Sequence, residues 1–218
     1  MYCDITRKDA HISTIFKKGN KSEPGNYRPV SLTSIVCKLI ESIIRDHITT
    51  HLVNNDVFSK FQYGFISGRS TSLQLLKALN KWTEIMDRNG TVDTIYFDFQ
   101  KAFDTVPHNL MLSKLPCYGI NPQIINWITN FITGRRQKVI INGSESNWGT
   151  VTSGIPQGSI LGPLIFALYI NDLPDVLDDT TDILLFADDT KIFKEIHNEK
   201  DQENLQMSID NMCKWSQD

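Results

Sequence analysis

Two acidic clusters, each closing an apolar run, are the residues of this chain best suited to chemistry: Ile95-Tyr96-Phe97-Asp98 and, far downstream, Leu184-Leu185-Phe186-Ala187-Asp188-Asp189. Side chains alternate across a strand, so Ile95, Phe97 and Phe99 share one face while Tyr96 and Asp98 share the other, and Asp98 projects away from the buried side. The second cluster reads as strand, acidic turn, strand, because Lys191-Ile192-Phe193 resumes the apolar run. Adjacent carboxylates at the rim of an apolar layer repel each other unless they share a cation or water reaches both. Three converging carboxylates suit Mg²⁺, a hard ion that takes oxygen ligands and shares them with phosphate. The same donor set serves a polymerase or a two-metal nuclease, and an isolated aspartate pair could equally cap turns.

The elements that must hold these residues are legible in outline. Lys17 to Asn26 is a polar, Gly- and Pro-punctuated loop. From Leu32, residues Ile35, Val36, Leu39, Ile40, Ile43, Ile44 and Ile48 recur at helical spacing, which predicts a long amphipathic helix. A second helix runs from a Ser70 or Thr71 cap to a stop at Asn89-Gly90. Pro107 opens a helix carrying Leu110, Leu112 and Leu115, and Asn121-Pro122 opens another that stops at Gly134. A strand follows from Arg135-Arg136 to the turn signal Asn142-Gly143. Gly154 to Ser159 is a tight loop before an apolar helix, Leu164 to Leu173, and the tail from about Asp201 puts Leu205, Ile209, Met212 and Trp215 on one helical face. His47 and His51 stand four apart on a helix, but no third ligand accompanies them, so they read as a polar helix face.

With 218 residues, 40% apolar and 10% aromatic, the chain can bury one sizeable core or two smaller lobes. Its longest nearly uncharged apolar stretch, Ile160 to Ile170, is broken by Gly162-Pro163 and falls short of the ~20 residues that cross a bilayer. The N-terminus lacks the apolar core of a signal peptide, so the expected location is intracellular, nucleus or cytoplasm, with no membrane partner and no secretion. Cys3, Cys37, Cys117 and Cys213 are scattered and read as small core residues rather than a zinc or disulfide framework. Net charge is -3, yet residues 1–90 carry 13 Lys and Arg against 8 Asp and Glu, and residues 91–218 carry 9 against 17. A basic lobe and an acidic, metal-binding lobe are the electrostatic division a polymerase needs.

In this order the motifs resemble the reverse transcriptase domain of non-LTR (LINE-type, jockey-like) retrotransposons over nearly the whole chain. The resemblance rests on Tyr27-Arg28-Pro29-Val30-Ser31-Leu32, on Gln62-Tyr63-Gly64-Phe65 with Gly68-Arg69-Ser70-Thr71, and on Phe97-Asp98-Phe99-Gln100-Lys101-Ala102-Phe103-Asp104-Thr105-Val106-Pro107-His108. Gly154-Ile155-Pro156-Gln157-Gly158-Ser159, Leu161-Gly162-Pro163-Leu164, Tyr169-Ile170-Asn171-Asp172-Leu173 and Phe186-Ala187-Asp188-Asp189 follow in family order.

The resemblance implies that Asp98, Asp188 and Asp189 are catalytic metal ligands for Mg²⁺, with Mn²⁺ as a substitute, and that Asp189 is the less direct one. It places Phe103 under the sugar of the incoming nucleotide, where a ring excludes a 2′-hydroxyl, and makes Gln157 and Gly158 a support for nucleotide and template. Arg28, Lys38 and Arg69 become candidates for neutralising the triphosphate, although lone cations are ordinarily solvated. Asp104 reads instead as ordering the turn into the following helix. Ile66 stands where the family often has arginine, and the chain stops before the family's next block, so the expectation is a truncated domain lacking thumb and amino-terminal endonuclease.

The expected fold is an α+β right-hand polymerase core over residues 1–218, with residues 1–90 mainly fingers and residues 91–218 mainly palm, the palm presenting a small antiparallel sheet packed on helices. The implied function is RNA-directed DNA polymerase, with RNA template, DNA primer and dNTP as partners. An inactive remnant that holds nucleic acid, or a Mg-dependent nuclease, stays open on the residues alone.

Overall fold

The computed structural model describes residues 8–217, so the reading of Cys3 as a core residue lies outside the described residues. The chain divides into two compact units, each discontinuous in sequence: residues up to Val57 with Lys101–Phe166, and Phe58–Gln100 with Ala167–Asp218. By sequence the first carries 13 Lys and Arg against 8 Asp and Glu, the second 9 against 17, so the charge division read along the chain also separates the two units.

The first unit is built on a mixed sheet. β1 (Asp9–Phe16) and β2 (Tyr27–Leu32) form an antiparallel pair around the polar loop of residues 17–26. Neither strand was expected, because in Asp9-Ala10-His11-Ile12 the alternation is short and only Ala10 and Ile12 are buried. Ser34 caps α1 (Ile35–Asn54) by accepting the Cys37 N–H at 3.2 Å.

The buried side of α1 corrects its apolar pattern. Cys37, Glu41, Ile48 and Leu52 are buried, whereas Ile35, Val36, Leu39 and Ile43 are exposed. β4 (Arg136–Ile141) runs parallel to β1, and the Asn142-Gly143 turn, with both residues at positive φ, joins it to β5 (Ser144–Glu145); β6 (Gly149–Thr150) also pairs with β4. Two short helices, α3 (Ala102–Thr105) and α4 (His108–Lys114), precede α5 (Pro122–Ile132), which opens on the Asn121-Pro122 signal. Met111, Leu115, Ile128, Phe131, Ile132, Ile155 and Ile165 are buried in this unit.

The second unit is a three-stranded antiparallel sheet between helices. α2 (Thr71–Asp87), capped by Ser70, leads into β3 (Thr91–Asp98), and β7 (Asp182–Phe186) and β8 (Asp189–Ile196) complete the order β3-β8-β7. Ile95, Phe97, Phe99, Ile183, Leu185 and Ile192 pack on one face with Leu205, Ile209, Met212 and Trp215 of α7 (Glu199–Gln217). Val92, Leu184 and Phe193 pack on the other with Ala78 and Trp82 of α2. The apolar run after the tight loop forms α6 (Gly162–Tyr169) and ends earlier than expected. Leu173–Val176 is a separate 3-10 turn with Pro174, which cannot extend an α-helix.

Cys117 and Cys213 are exposed, so of the described cysteines only Cys37 is a core residue. Among the described residues no helix is long and apolar enough to cross a membrane.

Candidate functional site

The acidic residues of the second unit are positioned by β-ladder register. Asp98 lies directly opposite Asp189 in the β3–β8 pair, and residues opposed in an antiparallel ladder point to the same face. Phe97 pairs with Thr190, Tyr96 with Lys191 and Ile95 with Ile192, so the alternation inferred for β3 holds, with Tyr96, Asp98 and Asp189 exposed. Asp188 occupies the two-residue turn between Phe186 and Asp189, which is the strand, acidic turn, strand arrangement expected. Asp189 rather than Asp188 is therefore the residue in register with Asp98.

Like charges directly opposed across a ladder destabilise it. Lys191, the next residue inward on the same face and one that the motif reading did not single out, is buried with its Nζ 5.0 Å from the Tyr96 ring centroid and 5.3 Å from that of Trp82. Among the described residues no group of three His, Cys, Asp or Glu stands ready to hold a metal ion, so the expected convergence of three carboxylates is not found; Asp98 and Asp189 alone are opposed in ladder register. That pair fits a hard divalent ion on the chemistry of its donors. Mg²⁺ usually takes one or two protein carboxylates and fills its remaining positions with water and phosphate.

The turn carrying Asp188 and Asp189 is held by residues more than a hundred positions upstream. Gln62 is buried, and its Oε1 accepts the N–H of Gly64 at 2.7 Å and of Ala187 at 3.0 Å. Gly64 is required here, since a Cβ would meet the Ala187 nitrogen at 2.4 Å. Arg69, a candidate for the triphosphate, donates through Nη1 to the carbonyls of Ser59 and Gln62, both at 2.5 Å. The structure thus supports Arg69 as a brace of this loop rather than as a phosphate ligand.

The remaining candidates belong to the first unit. Phe103 stacks on Phe166 with ring centroids 4.3 Å apart and planes 18° apart, and its carbonyl accepts the Ile155 N–H at 2.7 Å. Gln157 donates its side-chain amide to Asp104 Oδ1 at 2.9 Å, and its carbonyl accepts the Ser31 N–H at 2.7 Å. Asp104 therefore orders the Gln157 side chain, and it does not cap the following helix α4, whose N-terminus has no side-chain cap. Gly158 has φ +102°, and a Cβ there would meet the Ser31 carbonyl oxygen at 2.9 Å, so the loop lies against β2 by virtue of glycine.

Glu41, passed over in sequence, anchors the other end of that loop. Fully buried, it accepts from Ser159 Oγ, from Ile160 N–H at 2.8 Å and from Leu161 N–H at 3.2 Å. Burial, then the charge of Glu41, pushes the Cys37 thiol up to about 11. Arg28 is an exposed guanidinium on β2, without a hydrogen bond or ion pair among the described residues, while Lys38 is half-buried on α1. His51 bonds the Tyr118 carbonyl at 3.0 Å, which accounts for it structurally.

A mixed sheet unit joined in sequence to an antiparallel sheet with an acidic hairpin turn is a fold of the polymerase fingers-and-palm type. The chain belongs to the reverse transcriptase (RNA-dependent DNA polymerase) family, whose model matches residues 15–217. It is 31% identical over 175 residues to the RNA-directed DNA polymerase from mobile element jockey of Drosophila funebris, covering 80% of this chain and 19% of that protein. Over 174 residues it is 32% identical to the probable RNA-directed DNA polymerase from transposon BS of Drosophila melanogaster, covering 77% and 18%. The chain thus spans about a fifth of the length of these curated relatives. Among solved structures, telomerase from Candida tropicalis, in complex with a fragment of telomeric RNA, matches with a TM-score of 0.65 at 11% identity, covering 91% of this chain and 37% of that one. Reverse transcriptases as a family use divalent metal ions.

Proposed function

We propose that this chain is the core of an RNA-directed DNA polymerase of a non-LTR retroelement, transferring deoxynucleotidyl groups to the 3′ end of a DNA primer on an RNA template. The observation that carries the reading is Asp98 opposed to Asp189 beside an acidic hairpin turn, in a chain of the reverse transcriptase family. Asp98, Asp188 and Asp189 supply the oxygen ligands for Mg²⁺, with Mn²⁺ as substitute. When bound, the metal acidifies the primer 3′-hydroxyl and neutralises charge on the triphosphate and leaving pyrophosphate.

The chain's own residues do the positioning. Phe103, fixed by its stack on Phe166, presents a ring against the sugar and excludes a 2′-hydroxyl. Gln157, oriented by Asp104, and Gly158 support nucleotide and template. Arg28 offers an uncommitted guanidinium to phosphate, with Lys38 as a second cation. In this reading residues 1–90 act mainly as fingers and 91–218 mainly as palm.

The test is extension of a labelled DNA primer on an RNA template with Mg²⁺ and dNTPs, beside Asp188→Ala. Extension abolished by the substitution is the expected result. Degradation of the primer without dNTPs would make the protein a nuclease, and a folded protein that binds nucleic acid without extending it would make it an inactive remnant; either overturns the reading.

A further inference from the structure

We infer that Gln62 is a positioning residue for the acidic turn, holding the Ala187 amide so that Asp188 and Asp189 keep metal-binding geometry, and that Arg69 braces Gln62. The inference rests on the proposed metal role of those carboxylates. Ala187 sits in the left-handed region at φ 55°, a conformation that a non-glycine residue keeps only when its surroundings impose it. The imposition is visible. Phe61 and Tyr63 exchange backbone hydrogen bonds with Leu185, at 2.9 and 2.8 Å, laying the loop along β7. Gln62 Oε1 then takes the Ala187 N–H, and Arg69 fixes the carbonyl of Gln62 itself. Both groups facing Gln62 Oε1 are N–H donors, so the amide orientation is forced.

Stability alone does not explain glutamine here. Its Nε2 is buried without a partner among the described residues, and a buried donor left unmade is destabilising. Methionine would fill similar volume and remove that orphaned group, but it would leave the Gly64 and Ala187 N–H groups without their acceptor. What glutamine adds is the acceptor for Ala187, next to two carboxylates whose placement must hold to a fraction of an ångström to bind an ion.

Gln62→Met therefore separates a positioning role from a packing role. The variant is expected to fold with a lowered thermal midpoint, to speed amide exchange at Ala187, and to weaken Mn²⁺ binding about tenfold, read from the electron paramagnetic resonance of free Mn²⁺. Asp98→Asn defines the site, and Gln62→Met added to it should cost little more, because the two act on one ion. Arg69→Met, which removes both donations from Nη1 to the Ser59 and Gln62 carbonyls, should shift Mn²⁺ binding in the same direction by less. Mn²⁺ binding unchanged in a folded Gln62→Met overturns the inference alone. No Asp98-dependent Mn²⁺ binding in the parent chain overturns the metal reading, and this inference with it.

Discussion

Phe103 shows what one side chain contributes and what removing it should reveal. Its ring is held flat against Phe166, so in the proposed role it could not swing aside to admit a bulkier sugar without breaking a stack worth about 0.5–1.5 kcal/mol beyond buried area. Phe103→Val shortens the side chain while keeping it apolar. In single-nucleotide kinetics on a primed template, the variant is expected to raise the efficiency of rNTP relative to dNTP by roughly 10- to 100-fold, the range that steric contacts of this size discriminate. An unchanged ratio would remove Phe103 from the sugar site. The placement of Asp98 was legible in sequence from strand alternation, and that of Asp188-Asp189 from an apolar run that stops and resumes, whereas Phe103 was reached only through the family resemblance. Gln62 and Glu41 were not. Gln62 meets Ala187 across 125 residues and Glu41 meets Ser159 across 118, and no local pattern marks a buried carboxylate or amide whose partners lie that far away.

At the scale of elements, docking of the C-terminal helix depends on a polar cluster as well as on its apolar face. Asp178 accepts from Thr181 Oγ1 at 2.5 Å and from Ser208 of α7 at 3.0 Å, and it pairs with the buried ammonium of Lys194 on β8 at 3.4 Å. Burial alone would raise the Asp178 pKa; the hydrogen bonds from Thr180, Thr181 and Ser208 outweigh it and hold the carboxyl well below the usual carboxylate range. A depressed folded pKa means the unfolded chain takes up the proton first as pH falls. The contribution is therefore complete above about pH 5, where an unfolded aspartate of pKa ~3.9 is ionised, and is lost progressively below it. Asp178→Asn is expected to lower the thermal midpoint at pH 7 by about 2–4 °C for each kcal/mol lost and to flatten its dependence between pH 5 and 2, measured by circular dichroism. The face of α7 was read correctly from spacing, since Leu205, Ile209, Met212 and Trp215 all join the core. The face of α1 was legible only in part, because Ile48 is buried while Ile35, Val36, Leu39 and Ile43 are exposed. Periodicity identifies an apolar stripe but not what covers it.

For the molecule as a whole, net charge is a poor guide to the partner. The formal charge is -3, yet the unit containing Arg28, Gln157 and Phe103 carries a net +5 and the unit containing Asp98, Asp188 and Asp189 a net -8. Binding to a phosphate backbone depends on the cations that reach it, each displacing condensed counterions, while acidic residues elsewhere act over little more than a Debye length of about 8 Å at physiological salt. Lys17, Lys18 and Arg28 are exposed on and beside the β1–β2 pair, which makes this strand pair the natural place for such contacts. Binding of the chain to an RNA–DNA hybrid is expected to weaken steeply with salt in spite of the negative total charge. Replacing both Lys17 and Lys18 by alanine should lower the slope of log affinity against log salt by about 2, close to one unit per lost phosphate contact. Replacing exposed Lys200 and Lys214 on α7 should leave the slope unchanged, although both pairs remove the same charge. Fluorescence anisotropy across 50–300 mM KCl in EDTA separates the alternatives without requiring catalysis. Equal effects from the two pairs would mean that affinity follows total charge, and the functional division between a basic and an acidic unit would fall.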